Sequence, residues 1–194
     1  MANRDAPNGF TPAYHLTGGT IRAKEYRIAD DYNTLITTGD MVKLVAGGTI
    51  EVAGAGDRVV GVFSGCRFTK DNGEVVFSKH WPASQSVSGS YGYAMVYDDP
   101  NIVFRAQCDD VTGVADIGQL TDIVATAGSA TTGLSNQEVD ATTGAVTAQL
   151  RILDFVDDPT NDSTLTNAEV YVQIYEHEYN EHVAGGAASQ SPGV

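Results

Sequence analysis

Residues 39–65, GDMVKLVAGGTIEVAGAGDRVVGVFSG, interrupt their apolar runs with glycine every few residues, and this pattern most restricts the fold. Residues 41–45 read as a short strand, Ala46-Gly47-Gly48 as a tight turn and residues 49–53 as the return strand. Two β-branched runs split by a Gly-Gly turn predict a hairpin. Residues 54–57 form a second turn, and residues 58–63 (RVVGVF) predict a central strand buried on both faces. The Gly54/Gly56 pair is not a dinucleotide loop: no third glycine follows at the right spacing, and a strand rather than a helix comes next.

The rest of the chain repeats this grammar. Asn72-Gly73 joins residues 67–69 to 74–77 as a second hairpin, closed by His80-Trp81-Pro82. Strands are expected at 91–97 and 102–108, then at 145–155, where Val146, Ala148, Leu150 and Ile152 alternate with polar neighbours, and at 169–179. Residues 109–120 hold the one expected short helix. The reading is therefore a mainly β protein with little helix, made of small β-barrel or β-tulip-like units. Its expected parts are an extended arm at 1–19, a first β unit at 20–83, a Ser/Gly seam at 84–90, a second β unit at 91–180 and a tail at 181–194. The two units are allowed to share a core. Phe10, Tyr14 and Leu16 make the arm one that lies across a neighbour rather than frays.

Charge and cysteine use exclude several functions. A formal charge of −14 over 194 residues opposes nucleic acid, whose binding needs clustered Lys and Arg, and an anionic membrane for the same reason. The opening MANRDAPNGF has no apolar core region, and no run approaches the ~20 apolar residues of a spanning helix. Cys66 and Cys108 read as two buried thiols rather than a disulfide.

Candidate chemistry is sparse. Glu176-His177-Glu178-Tyr179-Asn180-Glu181-His182 gathers metal-capable side chains, but its histidines are five apart and a strand precedes them, so it reads as a solvated strand end. Asp98-Asp99 and Asp154/Asp157/Asp158/Asp162 lack EF-hand spacing and read as turn formers, with Ca²⁺ left open. Tyr91, Tyr93 and Tyr97 alternate as a sugar-binding row or an ordinary strand would. No G-x-S-x-G elbow or Walker loop occurs. The expectation is no enzyme, no metal and no cofactor.

The 39–65 block also resembles the hairpin-plus-strand unit of tailed-bacteriophage capsid decoration (cement) proteins, in its "GDxV" strand, Gly turn and "GDRVxGV" strand. The opening APNGFTPAYHLTGGTIRAKEYRIA is similar to the start of virion proteins encoded beside the major capsid protein. The resemblance covers roughly the first third of the chain. It implies a structural virion protein, assembled in the host cytoplasm, that binds the outer surface of a capsid and stabilises the head. Its implied partners are the phage major capsid protein and further copies of itself, a trimer before a dimer. Phe10, Tyr14, Leu16 and Trp81 are the expected capsid or subunit contacts. A ligand- or carbohydrate-binding β module of a phage tail or fibre is the alternative.

Overall fold

The computed structural model describes residues 3–144 and 148–179. The strands run β1 (Thr11–His15), β2 (Ala23–Ala29), β3 (Ile36–Thr37), β4 (Met41–Val45) and β5 (Thr49–Val52). There follow β6 (Gly61–Thr69), β7 (Val75–Ser78), β8 (His80–Trp81), β9 (Tyr91–Tyr97) and β10 (Ile102–Gln107). The last are β11 (Leu120–Thr121), β12 (Ile123–Val124), β13 (Glu138–Val139), β14 (Leu150–Phe155) and β15 (Glu169–Ile174). In place of the short helix expected at 109–120 there is a single 3₁₀ turn, Val114–Asp116.

The protein is mainly β, as its sequence predicts. Strands β4, β5, β2, β9 and β6 pair in that order, and β4 pairs again with β6, closing a five-stranded barrel with β7 appended to β6. The predicted hairpin is β4–β5, with Val42 opposite Val52 and Val45 opposite Thr49. The barrel is filled by Ile28, Val42, Ile50, Phe63, Phe68, Val96 and Trp81. Trp81 is wholly buried, meets Phe68 edge-on at 5.3 Å and donates its indole N–H to the Tyr32 carbonyl. Gly92 gives the indole room, since a Cβ there would overlap the Trp81 ring.

A second, five-stranded antiparallel sheet, β1-β10-β15-β14-β11, packs on the outside of the barrel. Its apolar face, including Phe104, Ile152 and Val172, shares a core with Met41, Ala53, Val59 and Val62 of the barrel. Neighbouring residues of the glycine-punctuated block therefore point into different cores. Met41, Val59 and Val62 face the second sheet, while Val42, Val60 and Phe63 face the barrel interior. A barrel wall covered by another sheet has no solvent side, which accounts for the buried run at 59–63, although the strand expected at 58–63 starts only at Gly61 and runs on to Thr69 as β6.

Four sequence boundaries differ. The seam at 84–90 lies within the barrel, where Ser84 N–H donates to the Tyr32 carbonyl and buried Val87 donates to Asp30 Oδ1. Strand β9 belongs to the first unit, not the second, because it pairs along its whole length with β2. The chain leaves the barrel at the turn after Tyr97 instead. The strand expected at 145–155 is shorter, β14, and its residues 145–147 lie outside the described residues. The last strand, expected to reach 179, ends at Ile174.

The N-terminal segment is not a free extended arm but is paired within the chain. Strand β1 is an edge strand of the second sheet, paired with β10 from Thr11–Arg105 to His15–Ile102. Gly9 and Gly39, at φ of 66° and 96°, pass close enough for the Phe10 N–H to reach the Gly39 carbonyl at 2.9 Å. The Gln107 amide clamps the segment further, donating to the Arg4 carbonyl and accepting the Ala6 N–H. The order comes from backbone pairing and these polar clamps, which the spacing of apolar residues does not encode.

Candidate functional surfaces

The four contact residues named from sequence separate into two kinds. Phe10 and Trp81 are buried within the chain, one between the two layers and one inside the barrel, so they hold the fold and present nothing to a partner. Tyr14 and Leu16 are 42% and 47% exposed at the free edge of the second sheet. Tyr14 rests edge-on against Tyr171 at 5.5 Å, and the Leu16 N–H donates to the Asn101 carbonyl.

A surface not singled out in the sequence lies on the outer wall of the barrel. Strand β7 pairs with β6 alone among the described strands, and its outward side chains Val75 and Phe77 are 58% and 76% exposed. Register places Phe77, Arg67, Tyr93 and Arg27 in one row across four strands. The Arg67 guanidinium covers the Tyr93 ring at 4.4 Å and makes a two-pronged contact with Glu25, at 2.8 and 3.1 Å. That bond holds the Glu25 carboxyl below its usual range. Arg27 covers Tyr91 at 5.2 Å, and Tyr97 packs against the shared core. The tyrosines are thus capped by guanidinium groups or turned inward, and do not form an open stacking platform. The signal in the sequence was Glu74-Val75-Val76-Phe77, which places apolar residues on both faces of a four-residue edge strand.

Several other titratable groups are set by local bonding or by burial. Asp158 accepts the Thr160 N–H and hydroxyl, and Asp162 accepts those of Thr164; these bonds lower both carboxyls. This is turn chemistry. Asp99 is lowered by the Asn101 backbone N–H and then by His15, whose Nε2 lies 3.1 Å away. Asp40 is buried and accepts the Thr37 N–H at 2.6 Å and hydroxyl at 2.8 Å; burial nevertheless pushes its carboxyl up. Cys66 and Cys108 are free, buried in different cores, and pushed up to about 12 by burial.

His177 is not at a solvated strand end. It is fully buried, accepts the Tyr179 N–H at Nδ1, and is pushed down to about 4 by burial. Its segment returns to the barrel, where the Val59 N–H reaches the Glu176 carbonyl and the Glu178 N–H reaches the Val59 carbonyl. Asn180, Glu181 and His182 lie outside the described residues. Among the described residues no three His, Cys, Asp or Glu side chains come together as a cation site, and no helix is long and apolar enough to cross a membrane.

Charge is divided sharply between the layers. Residues 20–97, which build the barrel, hold eight Lys or Arg and eight Asp or Glu. The rest of the sequence holds three and seventeen, so the whole formal charge of −14 lies outside the barrel segment. Much of it is in the loops after β10 and β14, at one end of the second sheet. Comparison of the chain with family models, with curated proteins and with solved structures gives no match.

Proposed function

We propose that this chain is a structural virion protein that docks on the outside of an assembled phage capsid and stabilises it, the role its 39–65 block and opening segment imply by resemblance. The observation that supports this reading is the polarity of the second sheet. Tyr14 and Leu16 stand exposed where β1 leaves the sheet, beside the 98–101 turn, and the acidic 154–162 loop lies at the opposite end. A free strand edge offers backbone N–H and C=O groups to a neighbouring strand, and flanking apolar side chains add the buried area that makes such pairing last. Asp158 and Asp162, held ionised by their threonine bonds, give the 154–162 loop at the far end a hydrated anionic surface.

The test is co-sedimentation of the purified protein with expanded heads built from the major capsid protein of the same genome. Binding that is weakened by Leu16→Asp, with folding unchanged, is the expected result. Protein that stays in the supernatant with heads at excess overturns the proposal.

A further inference from the structure

The outer wall of the barrel carries an apolar and cationic surface whose complement lies elsewhere on the same chain. Phe77 lines a hollow of about 330 Å³ together with Gly65, Cys66, Lys79 and Met95, and Val75 lines a second, of about 150 Å³, with Thr69, Tyr91 and Tyr93. Lys79 continues the outward face of β7 two residues beyond Phe77, and Arg27 ends the cross-strand row. Among the described residues neither Lys79 nor Arg27 makes an ion pair.

The loop after β10 is the counterpart. Val111, Val114 and Ile117 are exposed there, Val114 at 68%, amid Asp109, Asp110 and Asp116 and with no Lys or Arg between residues 106 and 150. The loop is rigidly held. Asp109 accepts the Ala141 N–H at 2.8 Å, Asp116 accepts the Gly113 N–H at 2.8 Å and the Thr143 hydroxyl at 2.6 Å, and the Gly118 N–H reaches the Ile152 carbonyl at 2.8 Å. A preorganised apolar turn rimmed by carboxylates fits an apolar edge flanked by Lys79 and Arg27, where Arg67 already neutralises Glu25 opposite Met95, and little ordering cost accompanies its docking.

We infer that the 109–117 loop of one copy docks on the β7 face of a second copy, with Val114 and Ile117 against Phe77 and Met95, and Asp109, Asp110 and Asp116 toward Lys79 and Arg27. The two surfaces are different and both are exposed in one chain, so the contact is head-to-tail. Such contacts close into a ring where the rotation allows, and extend as a filament where it does not. The inference stands independently of any capsid.

The experiment uses two variants, Phe77→Asp and Val114→Asp, each altering one surface at a position exposed enough to leave folding intact, which circular dichroism and thermal melting check. Light scattering after size exclusion reads the mass. The full chain is expected to self-associate, more weakly as salt rises. Each variant alone should be a monomer, its association weakened by about 30-fold or more, the loss typical of a central apolar contact. An equimolar mixture should give a dimer and stop there, because each such pair retains one intact junction. A full chain that is monomeric at every concentration overturns the inference. So does a mixture that stays monomeric, or either folded variant assembling as the unaltered chain does.

Discussion

The barrel and the sheet laid over it solve the same problem of covering strand edges in opposite ways. The barrel closes on itself through the second pairing of β4 with β6, surrounds its own core and balances its own charge. The second sheet stays open, with β1 and β11 at its edges, shares its core with the barrel wall and lies in the part of the chain that carries all the net charge. Closure removes an edge altogether, whereas an open sheet must protect or use its own. The difference teaches which core belongs to one part alone. The barrel interior depends on no residue of the second sheet, while the second sheet without Met41, Val59 and Val62 would leave its apolar face in water.

The strongest way to break this contrast is to hollow the barrel. Trp81→Ala removes the largest wholly buried side chain, with Gly92 too small to fill the space, and should cost about 3–5 kcal/mol. Denaturant unfolding should then show barrel and sheet lost in one transition at a lower midpoint. If tyrosine fluorescence and far-UV circular dichroism report separate transitions, the shared core does not couple the layers.

A smaller effect sharpens the comparison at the point where the second sheet returns to the barrel. His177 titrates near 6.5 when unfolded and is pushed down to about 4 when buried in the returning segment. Asp98 and Asp99 oppose that shift and Arg58 supports it, with Tyr26 and Tyr179 completing the surroundings of Asp98. Between those two pH values the unfolded chain holds a proton that the folded chain does not. Stability from this group is therefore intact above about pH 6.5 and declines as pH falls towards 4, by about 3 kcal/mol at most. His177→Gln should flatten that part of the stability profile. An unchanged slope between pH 6.5 and 4 would remove His177 from the account.

How much of this was legible in the sequence depends on what kind of interaction carries each part. The barrel hairpins were legible because glycine turns and β-branched runs are local signals, and residues 58–63 already read as doubly buried. The membership of β9 was not, because Ser84–Ser90 has the composition of a linker and is held by Tyr32 and Asp30, over fifty residues upstream. Trp81 and Phe10 read as contact residues because sequence gives a large aromatic ring no inside or outside. The exposure of Phe77 is hidden for the same reason: a short β7 has too few residues for a period to show which face is wet.

Buried amides were equally invisible, and they join the layers. Gln149 accepts the Ile123 N–H and donates to the Gly54 and Asp57 carbonyls, while Gln137 accepts the Met41 N–H at 2.8 Å. In each case one side chain from the later part of the chain satisfies backbone of the barrel. Gln149→Ala leaves those groups without partners and should cost about 2 kcal/mol. Amide exchange at Ile123 should accelerate by more than at Val96 in the barrel interior. Equal acceleration at both would mean that the amide supports the whole fold rather than the junction.

The smallest effect on stability tests the division within the N-terminal segment. Phe10 and Leu16 are six residues apart, on either side of β1, and similar in hydrophobicity, yet one is sealed in the shared core and the other half in water. Leu16→Ser should change unfolding free energy by no more than about 0.5 kcal/mol, because a half-exposed side chain at a strand edge leaves no cavity. Phe10→Ala should cost several times more, since its ring fills space that the neighbouring glycines fix. If the docking proposal holds, Leu16→Ser lowers head binding while keeping the midpoint of unfolding where it was. A large loss of stability at Leu16 would mean that the edge of β1 supports the sheet and is not held in reserve for a partner.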